Sequence, residues 1–99
     1  MTKVPLTKPL IIGDGDAKKT LTEISMDLDA LTGADVQFCM REAAAAKGEM
    51  VMVAVFDVDL HTQIASKASG IAVADFGRMG ARDYIEVVTK IQGFLMGSG

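Results

Sequence analysis

Asp57, Asp59 and His61, at alternate positions, are the side chains of this sequence best suited to chemistry. Carboxylate oxygens and an imidazole nitrogen can ligate a divalent metal, and a carboxylate–histidine pair can move a proton. On an extended segment all three would point the same way, because strand side chains have a period of two. On a helix starting at Asp59 they would fan apart. A tetrahedral site needs a fourth ligand, and no cysteine or second histidine supplies one. Calcium would want more oxygens and the glycine of a dedicated loop. The competing reading makes an aspartate the cap of a helix and puts His61 on the solvent side. A small metal- or ligand-binding domain, or an enzyme, using Asp57, Asp59 and His61 is one way to read the chain.

Three other stretches resemble sites. Gly13-Asp14-Gly15-Asp16-Ala17-Lys18-Lys19-Thr20 has the look of a phosphate-binding loop. That mechanism needs a glycine directly before the Lys-Thr pair and a helix whose N–H groups face the phosphate. Lys18 stands where the glycine should be, the next segment has strand periodicity, and the aspartates would repel an anion, so a solvated hairpin loop is expected. Cys39 could be a nucleophile, but a lone cysteine on a helix is more simply a small buried apolar residue. Asp14, Asp16, Asp27 and Asp29 look like wet surface, and acid–base work by paired carboxylates would need a cleft. The expectation is a non-enzymatic chain with no catalytic residue, no metal and no cofactor.

The bulk properties set the frame. A chain of 99 residues has room for one core, so residues 1–99 are read as a single domain. The 49% of apolar residues is enough to build that core. A net charge of −3 argues against nucleic acid, whose binding proteins carry a basic face. No apolar run approaches the ~20 residues of a membrane span, and no long apolar region follows Lys3 as a signal peptide would require. One cysteine cannot form an internal disulfide and fits a reducing compartment.

The elements that must position these residues follow from periodicity. Residues 1–5 read as a loose lead-in. Leu6 to Ile12 is rich in branched residues, but Pro9 allows only an edge strand. Ile24, Met26 and Leu28 alternate with Glu23, Ser25 and Asp27, which predicts a strand with one dry face. A hairpin of 6–12 with 20–28 results, and it needs helices or another copy beneath it, because an isolated hairpin is marginal. Thr32 and Asp35 open a first helix that Gly48 closes, with Val36, Cys39, Met40 and Ala43 at helical spacing. The apolar run Met50–Phe56 is ambiguous, and a short extended segment is the reading adopted. Asp57 or Asp59 caps a second helix with Leu60, Ile64, Ala65 and Ala68 inward, ended by Gly70. A short helix or turn around Val73–Met79 is anchored by Phe76. In the last helix Asp83 and Glu86 form a cap pair, Glu86 and Lys90 an ion pair, and Tyr84, Val87, Val88, Ile91, Phe94 and Leu95 one stripe. The predicted core comprises Ile24, Met26, Val36, Met40, Leu60, Ile64, Tyr84, Val88 and Ile91. The class is α+β, an N-terminal β-hairpin packed on three to four helices.

Seven methionines are many for this length, and methionine is favoured on adaptable apolar surfaces. They serve either as a protein-binding groove or as ordinary core filling. Met50, Met52, Phe94 and Met96, at the ends of elements, are the candidate partner-binding residues.

The order of features then matches a family. Leu6-Thr7-Lys8-Pro9-Leu10 opens the chain, and Glu23-Ile24-Ser25-Met26-Asp27-Leu28 follows the polar loop. Leu31-Thr32-Gly33-Ala34-Asp35 opens a helix, and Asp83-Tyr84 leads the last stripe to Phe94-Leu95. In this order and spacing, over nearly the whole length, the chain resembles the tail assembly chaperones of long-tailed bacteriophages, small proteins encoded just upstream of the tape measure gene. The resemblance implies a partner, the long helical tape measure protein, held soluble before the tail tube polymerises around it. It also implies the host bacterial cytoplasm as location and absence from the mature virion. The tail tube protein, a longer frameshifted form of the chain and further copies of itself are the other expected partners. The Gly97-Ser98-Gly99 end is compatible with the short form. The family carries no catalytic motif, so no active-site residue transfers. The apolar Met50–Phe56 run and the methionine count depart from its pattern.

Overall fold

The computed structural model describes residues 1–50 and 54–97. An antiparallel hairpin of β1 (Thr2–Ile12) and β2 (Lys19–Met26) is followed by four helices: α1 (Gly33–Lys47), α2 (Val58–Ser69), α3 (Val73–Phe76) and α4 (Ala81–Leu95). The architecture is the α+β arrangement that the alternation and helical stripes predict. Residues 2–5, expected as a lead-in, belong to β1. Val4 pairs with Ile24 and both are fully buried, so the strand extends to bring that pair under the helices.

The hairpin turns through Gly13–Lys18. Gly13 has φ of 81°, and a Cβ there would lie 2.5 Å from the Ala17 carbonyl oxygen, so only glycine fits. The loop contains one short 3-10 turn, Gly15–Ala17, and feeds a strand rather than a helix. The phosphate-loop likeness therefore reduces to a solvated hairpin connection.

The ladder has one interruption. Pro5 pairs with Glu23 and Leu10 with Leu21, which leaves Leu6, Thr7, Lys8 and Pro9 opposite Thr22 alone. The excess residues form a bulge, and proline is tolerated there because it has no ladder hydrogen bond to give.

Helix α1 begins as its sequence demands. The Asp35 N–H donates to Thr32 Oγ1 at 3.2 Å and the Thr32 N–H to Asp35 Oδ2 at 2.9 Å, a reciprocal capping box. Gly48 closes the helix at φ 76°. Its buried residues are the small ones, Cys39 and Ala43. Met40, expected in the core, is exposed: α1 lies against α2 through a narrow small-residue face, and Met40 falls outside it. Lys67 of α2 reaches back to α1, 3.8 Å from Asp35 Oδ1 and 5.0 Å over the Phe38 ring.

Helix α2 is the hub, touching α1, α3, α4 and β2. Leu60, Ile64 and Ala65 are wholly buried there. Val4, Leu10, Ile24, Met26 and Leu28 come from the hairpin side, Phe76 from α3, and Val87 and Ile91 from α4. Each fully buried side chain of this size stabilises by roughly 1.5–3 kcal/mol, which is how a hairpin too small to stand alone persists. Tyr84 packs against the core half-buried, Val36 and Val88 are also half-buried, and of the expected core positions Ile24, Met26, Leu60, Ile64 and Ile91 are fully buried. Residues 51–53, part of the ambiguous apolar run, lie outside the described residues. Ala54–Phe56, expected to be extended, forms a 3-10 turn.

Candidate functional site

The start of α2 takes the Asp57, Asp59 and His61 trio apart. Asp57 is the N-cap: its Oδ1 accepts the Leu60 N–H at 2.9 Å, and its Oδ2 is ion-paired with Lys47 Nζ at the end of α1. Burial by itself raises the Asp57 carboxyl, but Lys47 and the Leu60 N–H outweigh it and hold the group below the usual carboxylate range. The same contact raises the Lys47 ammonium. Asp59 is exposed in the first turn, where its charge complements the helix N-terminus.

His61 does not face solvent as expected. It is wholly buried on the same face as Leu60, Ile64 and Ala65, and Nε2 donates to the Ala54 carbonyl oxygen at 3.0 Å. That bond ties α2 to the Ala54–Phe56 turn. Nδ1 meets no hydrogen-bond partner among the described residues. Among those residues no three of His, Cys, Asp or Glu come together as a metal-binding group. Cys39 is buried, and burial pushes its thiol up, away from the thiolate a nucleophile needs.

Asp83 holds the most elaborate polar constellation. Sequence spacing makes it a helix cap with Glu86, but it sits inside α4, whose N-cap is Gly80 without a capping side chain. Its carboxylate turns instead to the bulge of β1. The Thr7 N–H donates to Oδ1 at 2.9 Å and Oδ2 at 3.0 Å, Thr7 Oγ1 donates to Oδ1 at 3.0 Å, and the Lys8 N–H donates to Oδ2 at 3.2 Å. The Thr7 N–H, with the Lys8 and Thr7 hydroxyl bonds, pulls the Asp83 carboxyl below its ordinary value despite burial. The bulge thus has a purpose: it turns backbone donors out of the ladder to receive a carboxylate. No local rule could find this pairing, because the partners are 76 residues apart in sequence.

Beside it, Thr62, Val73, Phe76, Gly77, Met79, Ala81 and Tyr84 line a cleft of about 340 Å³. Its wall is held by a 2.6 Å hydrogen bond between Thr62 Oγ1 and Tyr84 Oη, which joins α2 to α4. The cleft is mainly apolar, the character of a pocket that accepts a side chain or a small ligand. Periodicity pointed to Phe76 and Tyr84 only as core anchors.

No protein-family model, curated protein or solved structure matches this chain.

The candidate partner-binding residues divide. Met50 is 73% exposed and Met96 67% exposed, each just outside a helix. Phe94 is half-buried and packs against the core, so it serves both sides of the surface. Met52 lies outside the described residues. Phe56, 74% exposed in the turn that α4 touches, joins the exposed apolar set. Among the described residues no helix is long and apolar enough to cross a membrane.

Proposed function

We propose that this chain is a non-enzymatic tail assembly chaperone of a long-tailed bacteriophage. It coats the tape measure protein in the host bacterial cytoplasm and keeps it soluble until the tail tube polymerises. It is then left out of the mature virion. One observation carries the reading beyond the order of motifs. Leu6-Thr7-Lys8-Pro9-Leu10 and Asp83-Tyr84, which open and close the resemblance, meet in one hydrogen-bonded unit through Thr7, Lys8 and Asp83.

The surface suits the role. Large apolar side chains stand exposed at Met50, Phe56 and Met96, and the cleft at Phe76 and Tyr84 can take a side chain from an amphipathic helix. A net charge of −3 on the chaperone keeps a coated assembly soluble. The tail tube protein and a longer frameshifted form are the further partners this reading implies.

Co-expression with the tape measure protein is the test. Met50→Glu and Met96→Glu, at exposed positions that leave the core intact, are expected to remove the tape measure protein from the soluble co-purified fraction without changing helix content. A tape measure protein that stays soluble without this chain, or that never co-purifies with the wild type, would overturn the proposal.

A further inference from the structure

The hairpin has two edges, and among the described residues they are guarded unequally. β1 carries both prolines of the chain, Pro5 and Pro9, and its bulge is occupied by Asp83 of α4. Proline, bulges and covering elements are the devices by which proteins stop an edge strand from pairing further. Among the described residues β2 has neither proline nor bulge over Lys19–Glu23 and pairs only with β1, and Lys19, Thr20, Thr22 and Glu23 are exposed. Ser69, Gly70 and Ile71 share a small open cavity with Lys19, Leu21 and Ser25 but make no ladder with them. Pro5 has no N–H and stands opposite Glu23, so that pair is a non-bonded one, and Glu23 turns its backbone groups to the outer edge. By the period of two, Leu21 and Lys19 do the same. Just beyond the strand the edge is closed, where the Asp27 N–H donates to the Ala68 carbonyl of α2 at 3.0 Å.

We propose that the outer edge of β2 pairs antiparallel with the same edge of a second copy, on a two-fold axis at Leu21. Charge complementarity selects both occupant and register. Lys19-Thr20-Leu21-Thr22-Glu23 is self-complementary when reversed: centred on Leu21, each Lys19 faces the partner's Glu23 and each Thr20 the partner's Thr22. Opposite charges and Thr–Thr pairs directly across an antiparallel ladder are favourable. Centring on Glu23 would set two carboxylates against each other, and centring on Thr22 would leave both charges without a partner. Lys19 has no ion-pair partner among the described residues, and Glu23 has only an exposed contact with Lys3 at 3.9 Å. Both are available. The joined edges make a four-stranded sheet and remove the open ladder. This inference stands apart from the chaperone reading, since it concerns how copies meet each other.

The test is sedimentation equilibrium of the full chain with charge variants. Lys19→Glu sets like charges across both ends of the pairing and is expected to raise the dimer dissociation constant about tenfold, ~1.4 kcal/mol. Lys19→Glu with Glu23→Lys restores the opposite-charge pairs in reversed order and is expected to recover most of the affinity. Under mild oxidation Leu21→Cys should cross-link to itself, because equivalent residues meet at the axis. Glu23→Cys should not, because its copies are displaced along the strands. A chain monomeric at all concentrations, a dimer indifferent to Lys19→Glu, a charge swap that fails to restore it, or preferential cross-linking through Glu23→Cys would overturn the proposal. Co-purification with the tape measure protein is scored separately, so failure of one proposal does not register as failure of the other.

Discussion

Asp83 and Asp57 are both buried carboxylates at helix starts, yet they are held by different means. Asp83 faces backbone N–H groups and a hydroxyl from the β1 bulge, with no ion-pair partner among the described residues. Asp57 faces one N–H of its own helix and the ammonium of Lys47. Asp83 joins the first strand to the last helix, while Asp57 joins the end of α1 to the start of α2, ten positions apart. A constellation of dipoles works only if the backbone is already shaped to present them, which is why β1 carries a bulge there. An ion pair tolerates looser geometry, because a charge attracts over a wider range of positions. Asp83 therefore reports on the fold as a whole and Asp57 on a local joint.

The largest expected effect comes from breaking the first of these. Asp83→Ala strands the Thr7 and Lys8 N–H groups against α4 with no acceptor, and unsatisfied donors cost more than the bond itself gained. The melting temperature should fall by roughly 10 °C. Amide exchange should quicken across residues 2–12 while the middle of α2 stays protected. If exchange rises equally everywhere, Asp83 does not act specifically on the hairpin. If β1 stays protected, the carboxylate is incidental to holding it.

The contrast also explains which parts were legible in the sequence. The Thr32–Asp35 box and the Gly48 stop involve residues within a turn of each other, so spacing exposes them. Ile24, Met26 and Leu28 were recognisable because alternation is a local property, and all three are buried. Spacing alone makes Asp83 a cap, because local rules offer only local partners. Its acceptor role is invisible until the strand and helix are folded together. His61 and Met40 failed in a related way. By type a polar ring belongs outside and a thioether inside, but the buried face of α2 includes His61 beside Leu60, Ile64 and Ala65. The narrow α1–α2 contact prefers Cys39 and Ala43 to Met40. The cleft beside Tyr84 was beyond reach, since it is made by three elements and the loop before α4.

A smaller effect is expected from the second aspartate. Asp57→Ala removes the cap of α2 and leaves Lys47 without its counter-charge, and loss of such a cap costs ~1–2 kcal/mol. Asp57→Asn keeps an acceptor for the Leu60 N–H and loses only the ion pair, so it should retain most of that stability. Chemical denaturation of the two variants separates the cap from the charge. Equal losses in both would assign the stability to Lys47 and weaken the view of Asp57 as a local joint held chiefly by its cap.

The smallest and sharpest distinction is the dependence on pH and salt. Asp83 and Asp57 both have folded pKa values below the ordinary carboxylate value of about 3.9, so each contributes stability that is fully present above that value. That stability is lost as pH falls through the depressed folded values. Lys47 is raised above its ordinary value of about 10.4, so its contribution is present below that value and lost as pH rises through the raised one. Asp83 should therefore shape only the acid limb of the stability profile, and the Asp57–Lys47 pair both limbs. Lys47→Met should flatten the alkaline limb, which Asp83→Asn should leave as in the wild type. Salt gives the independent check. At 1 M the screening length is about 3 Å, so the partly exposed Lys47 contact should weaken, and the difference in melting temperature between wild type and Lys47→Met should narrow. The difference between wild type and Asp83→Ala should persist, because hydrogen bonds to fixed dipoles at contact are not screened by mobile ions. If salt narrows both differences equally, the two aspartates are held by the same long-range field, and the division between a dipole clasp and an ion pair fails.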